Sequence, residues 1–147
     1  MNRAAWADLV RAANSEVAVR PRKRRVNMEH YEQALVIQWC EDQAMRTPEL
    51  RLIFAIPNQS QGSVMRGKYY KAEGQKSGVP DLFLPVARKQ YHGMFIEMKS
   101  KSGRILPEQQ AWAKALTEQG YYACFAFGAN EAIERIMGYM FSGEEVK

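Results

Sequence analysis

Two apolar runs of strand length, Leu82–Val86 and Met94–Met98, flank the polar stretch Arg88–His92 and Gly93. This pairing constrains the chain more than any other feature, because it reads as a β-hairpin. Antiparallel strands centred on Lys89 put Asp81 directly opposite Glu97. Opposed residues in such a pair have Cβ atoms about 4.5–5.5 Å apart. Glu97 and Lys99 are two apart, so both point to the face that carries Asp81. Leu82, Leu84, Ile96 and Met98 then form the opposite, core-facing side. A one-residue slip would bury the charges and expose the leucines, so the apolar pattern itself selects the register.

Two carboxylates and an amine converging on one point have a specific chemical capacity. Carboxylate oxygens hold hard divalent cations, and a cation beside a lysine can promote phosphodiester hydrolysis. The plain alternative is a half-exposed hairpin with ordinary surface charges. At 147 residues the chain suits one domain with a sizeable core. No apolar run approaches the ~20 residues of a membrane span. The N-terminus lacks an apolar segment ahead of a small-residue cleavage site, so the chain reads as cytoplasmic, with no membrane partner. Cys40 and Cys124 lie far apart in apolar surroundings and are expected to be buried free thiols. His30 and His92 have no cysteine or histidine near them in sequence, which argues against zinc.

The net charge of +5 is unevenly distributed. Residues 1–27 hold seven Lys/Arg and two acids, which accounts for all of it. Within the neutral remainder, residues 51–104 carry ten basic residues against three acids, and two of those acids are Asp81 and Glu97. Basic charge therefore gathers around the carboxylate pair, and a polyanion is the natural partner of such a field.

The chain divides into a basic extension (1–27), a body (28–141) and a short tail (142–147). Residues 4–19 carry weak helical character. Arg22, Lys23, Arg24 and Arg25 follow Arg20-Pro21 and read as an extended, mobile arm able to contact phosphates. In the body, helical spacing covers 28–46, ended by Pro48. Arg51–Ile56 reads as a strand and 63–73 as a helix. After the hairpin, Pro107 opens a helix that Gly120 stops near Gln119. Tyr121–Phe127 is a strand and Asn130–Met140 a last helix. The order is α-β-α-β-β-α-β-α, an α/β fold.

That order, with Pro80-Asp81 and Glu97-Met98-Lys99, resembles the restriction-endonuclease-like PD-(D/E)XK nucleases, whose core is a mixed four-stranded sheet flanked by helices. Within them the chain resembles the VRR-NUC family, in its small stand-alone phage and bacterial form. The carriers are Gly78-Val79-Pro80-Asp81-Leu82, Phe95-Ile96-Glu97-Met98-Lys99, and Gln109-x-x-Trp112. One departure is Leu106, where the family often has Ser or Thr ahead of the glutamine helix.

The resemblance implies a Mg²⁺- or Mn²⁺-dependent DNA endonuclease. Asp81 and Glu97 are the expected metal ligands, with the Met98 carbonyl a further one. Lys99 would position or deprotonate the attacking water, or stabilise the pentavalent phosphate. Gln109 would lie beside the lysine and the water. Glu32 fits the family's extra acidic position, for a second metal or a water, against the alternative of a solvated helix residue. The resemblance also implies a homodimer acting on branched DNA such as four-way junctions. Arg66, Lys68, Lys76, Lys101 and Arg104 are candidate phosphate contacts, which position a duplex without reading it. Tyr69 and Tyr70 could stack on bases or simply pack. The alternative functions are a non-catalytic nucleic-acid-binding module and a nuclease subunit that needs a phage replication or repair partner.

Overall fold

The computed structural model describes residues 28–57 and 64–142; the side chains of 64–67 also lie outside the described set. The basic arm with Arg22, Lys23, Arg24 and Arg25, the residues after Ser142, and the Arg66 side chain therefore fall outside it. The described elements are α1 (Met28–Gln43), a 3-10 turn (Pro48–Leu52), β1 (Phe54–Ala55), α2 (Val64–Ala72), β2 (Leu82–Leu84), β3 (Met94–Lys99), α3 (Pro107–Glu118), β4 (Tyr122–Phe127) and α4 (Ala129–Phe141).

The four strands form one mixed sheet in the order β1-β2-β3-β4. β1, β2 and β3 are antiparallel neighbours, and β4 joins β3 in parallel after the α3 crossover. Leu82 faces Ile96, Phe83 faces Phe95 and Leu84 faces Met94. This is the register centred on Lys89 that the apolar pattern requires. Its energetic basis is visible in the core. Leu82, Leu84, Met94, Ile96 and Met98 are almost completely buried on one sheet face. There they meet Val36 and Cys40 of α1 and Ala132, Ile136 and Tyr139 of α4. At about 1.5–3 kcal/mol for each buried side chain, a slip that turned these five outward would cost on the order of 10 kcal/mol, as much as a whole domain's stability.

The strand ends differ from the sequence expectation, each for a physical reason. β2 stops at Leu84 rather than Val86, because Pro85 cannot donate to the ladder. The expected strand over Arg51–Ile56 shrinks to Phe54–Ala55. Pro48 at the start of the preceding segment instead nucleates a 3-10 turn through Leu52. The result is a very short sheet edge, one of the ways a protein blunts an unpaired edge. At the hairpin tip Arg88 and Tyr91 exchange backbone hydrogen bonds of 3.1 and 2.9 Å, with Lys89 in the left-handed region at φ +53°.

The opposite sheet face is aromatic. Phe83 and Phe95 stack at 4.2 Å between centroids, and Tyr121 meets both edge-on. α3 lies alongside β4. It ends where Gly120, at φ +85°, reverses the chain against the His92 ring. Both cysteines are buried and free, and burial pushes their thiols up to about 12. Among the described residues no helix is long and apolar enough to cross a membrane.

Candidate active site

The residue ahead of β2 and the last three residues of β3 build the site. Leu82 opposite Ile96 sets Asp81 opposite Glu97. Lys99 extends along the same face and its Nζ lies 2.9 Å from Glu97 Oε1. Among the described residues, Glu97 and Lys99 are the two buried charged ones, 5% and 6% exposed.

The Pro-Asp pair has a backbone role as well. Along a strand, the N–H and C=O of one residue point to the same neighbour. The Gly93 and Lys99 carbonyls accept from Tyr122 and Gly128 on the β4 side, at 2.9 Å each. Met94, Ile96 and Met98 therefore direct their backbone groups toward β2. Two residues beyond the Leu82–Ile96 pair, Pro80 stands in register with Met98. Proline has no N–H, so the ladder offers the Met98 carbonyl no donor there. Asp81 Oδ2 accepts the Met98 N–H at 2.8 Å. Carboxylate and carbonyl are thus brought to one end of the β2–β3 pair.

α3 closes the site through its first turn. Gln109 Oε1 accepts from the Leu106 N–H at 2.9 Å, which satisfies a donor at the helix start. Because an N–H can only donate, this fixes the amide's orientation and turns its NH₂ toward Glu97 Oε1, where it donates a short hydrogen bond. Leu106 offers no capping side chain, so Gln109 supplies the side-chain half of a capping box alone. One turn on, Trp112 Nε1 donates to the Ser77 carbonyl at 3.0 Å. Gly78 is at φ +83°, and a Cβ there would sit 3.0 Å from Glu108 backbone. The segment leading into Asp81 is thereby seated on the start of α3. Between them lies an open cavity of about 230 Å³ lined by Glu29, Asp81, Glu97, Lys99, Glu108 and Gln109, among others.

Electrostatics in this cavity favour a bound cation. Burial and the neighbouring Asp81 push the Glu97 carboxyl up to about 7, against the pull of Lys99. Asp81 is also raised, chiefly by burial, although the Met98 N–H opposes it. Two carboxyls that resist ionisation side by side are relieved by a cation between them. Among the described residues no three His, Cys, Asp or Glu side chains form a metal-binding group. Two carboxylates and the Met98 carbonyl are oxygen donors which, completed by water, would suit Mg²⁺ or Mn²⁺ better than zinc.

The structure separates the two acids of α1. Glu32, the expected extra acid, does not line the cavity. Its Oε2 accepts the Ala129 N–H at 2.6 Å and caps α4 from across the sheet face, where the N-cap residue Gly128 has no side chain to do so. Glu29, one turn earlier, lines the cavity instead. It accepts the Ser100 N–H at 3.2 Å and adds to the upward push on Asp81 and Glu97. Sequence reasoning missed Glu29. The available signal was the spacing of two glutamates on one helix, which does not say which of them reaches the sheet end.

The family model for the VRR-NUC domain matches residues 20–129. The chain belongs to the VRR-NUC family. A solved structure, a VRR_NUC domain protein, is similar at 30% sequence identity with a TM-score of 0.67, covering 77% of this chain and 88% of that one. No curated protein matches. The mixed sheet flanked by helices agrees with the restriction-endonuclease-like fold of the PD-(D/E)XK superfamily, with which the VRR-NUC family is consistent. A VRR-NUC domain is a nuclease-type domain, and nucleic acid is the class of partner it implies.

On this VRR-NUC domain the described basic candidates stand outside the cavity. Lys68, Lys76, Lys101 and Arg104 are all exposed. Lys76 places its Nζ 6.0 Å over the Trp112 ring, at the site's rim. A larger cavity of about 450 Å³ lies near the hairpin tip, between Tyr91, Tyr122 and Arg135. Of its two glutamates, Glu131 is taken up by the Phe127 N–H and by Arg135, and Glu134 is exposed, unlike the buried Glu97 of the β2–β3 end.

Proposed function

We propose that this chain is a DNA endonuclease that hydrolyses phosphodiester bonds with Mg²⁺ or Mn²⁺ bound by Asp81, Glu97 and the Met98 carbonyl. The observation that carries the reading is the buried Glu97 facing the half-buried Asp81, with Lys99 on the same face, all lining an open cavity rather than the core. The ion, when bound, would neutralise the scissile phosphate and acidify a water. Lys99, held by Glu97, is positioned to orient or deprotonate that water or to stabilise the phosphorane. Gln109 is a positioning residue that holds the Glu97 carboxylate through an amide fixed by Leu106. Glu29 takes the place proposed for Glu32, and orients water at the cavity edge.

The substrate preference proposed is for branched DNA, four-way junctions among them, with the chain acting as a homodimer. Exposed basic residues around the cavity suit phosphate contacts that do not read sequence. A two-fold dimer would present two sites to two strands. Tyr31 and Leu35 on α1 and Met137 and Phe141 on α4, two helices in contact, leave exposed apolar surface that supports self-association.

The test is cleavage of end-labelled four-way junction, flap, single-stranded and plain duplex DNA with Mg²⁺, Mn²⁺ or EDTA. Wild type is compared with Asp81→Asn and Lys99→Ala. Metal-dependent cuts near the branch, lost in both variants while DNA binding persists, are the expected result. Binding without cleavage on every substrate would reduce the chain to a binding module or a subunit awaiting its partner.

A further inference from the structure

α2 is an unusual helix for a domain of this size. Every residue whose side chain is described, Lys68 to Ala72, is exposed. Tyr69 is 65% exposed and Tyr70 40%. A nine-residue helix is too short to hold itself in water, and helices in proteins owe most of their stability to a buried face. The C-terminal end of α2 is anchored. Glu73 and Gln75 donate backbone N–H groups to the Tyr69 and Tyr70 carbonyls at 2.9 and 2.8 Å, Gly74 turns the chain at φ +102°, and Gln75 Nε2 reaches the Pro57 carbonyl at 3.0 Å. The base is fixed, and the described turn, Lys68 to Ala72, is left to solvent all round.

What that face offers is specific. Two phenol rings are interleaved with Lys68 and Lys71, and Lys76 follows. Glu73 is the one acid between Lys68 and Lys76. Seven residues separate Tyr70 from Ser77, which lines the active-site cavity. At about 3.3–3.6 Å per residue the rings lie within about 25 Å of it. Aromatic rings among cations are the means by which proteins hold unpaired nucleobases. The rings stack on base faces whatever the sequence, while the cations track the backbone. A paired, stacked duplex gives such rings nothing to meet.

Resting on the nuclease reading above, we propose that α2 is a stacking platform for unpaired bases beside the scissile site, with Tyr69 and Tyr70 holding the bases and Lys68, Lys71 and Lys76 the adjoining phosphates. It selects substrates with single-stranded character at the branch, flaps and opened junctions over closed duplex.

The experiment is fluorescence-anisotropy binding of the full-length chain in EDTA, so that nothing is cut. The probes are labelled flap, single-stranded and plain duplex DNA, with 2-aminopurine at an unpaired position. Tyr69→Ala/Tyr70→Ala should weaken flap and single-strand binding about tenfold or more, leave duplex binding within about twofold, and lose the quenching of 2-aminopurine. Tyr69→Phe/Tyr70→Phe should restore both. Equal losses on duplex and flap, no loss at all, or failure of the Phe pair to rescue would overturn the proposal. So would a clear fall in the thermal midpoint of the Ala pair, because it would mean that the rings pack against protein. Cleavage by wild type and by the Ala pair is scored separately with Mn²⁺. Tyrosine-dependent flap binding without any cleavage would leave α2 as a platform and remove the nuclease. Cleavage indifferent to the tyrosines would do the reverse.

Discussion

Glu97 ties the chemistry of the site to the stability of the fold. Its side chain is 5% exposed, and burial followed by Asp81 raises its pKa from 4.5 to about 7. Between those values the folded chain keeps a proton that the unfolded chain has already released. Stability therefore falls as pH rises through this window, and the loss is complete above the folded pKa. The span corresponds to about 3 kcal/mol. Glu97→Gln keeps the shape and removes the titration, and subtracting it cancels most of the background from other carboxyls. Urea unfolding in EDTA, read at pH steps from 4.5 to 8, should show wild type losing about 3 kcal/mol relative to Glu97→Gln. The m-value should stay constant. At pH 8, Mg²⁺ should raise the wild-type midpoint by mass action and leave the Gln variant where it was. A difference between the two proteins that stays flat across the window would refute the reasoning, as would an equal response of both to Mg²⁺.

Three further outcomes follow from the placement of individual side chains. Glu32→Ala should cost about 0.5–2 kcal/mol of stability through the lost cap on α4, measured by thermal or urea unfolding, with the cleavage rate unchanged. Glu29→Gln should lower cleavage and leave stability nearly intact, so the pair separates the two glutamates by opposite readouts. Lys76→Ala and Lys101→Ala should each reduce the slope of log binding constant against log salt by about one, uniformly across DNA sequences. An unchanged slope would remove these lysines from the interface.

What the sequence made legible is the part governed by period-two alternation. Leu82, Leu84, Ile96 and Met98 could share a buried face in only one register, and that register carries Asp81 to Glu97. Pro107 and Gly120 bounded α3 for local reasons that act without tertiary context. Illegible features are those decided by contacts far apart in sequence. Glu29 and Glu32 lie three apart on one helix, and a backbone N–H at Ala129 determines which becomes a cap. The orientation of the Gln109 amide depends on Leu106 and Glu97 at once. The brevity of β1 came from a competing local signal, since Pro48 started a turn that runs through Leu52, into the expected strand.

Lys99 and Gln109 meet the same oxygen, Glu97 Oε1. The stretch between them, residues 100–108, is therefore a loop drawn shut by one carboxylate, like a purse on a single string. Were a cation to claim this oxygen, both ends would loosen together: the ammonium would be freed toward the cavity, and the amide of Gln109 would lose the partner that kept its other atom on the Leu106 N–H. Filling the site would then register in the backbone at the cavity's edge, as faster deuterium uptake at Leu106.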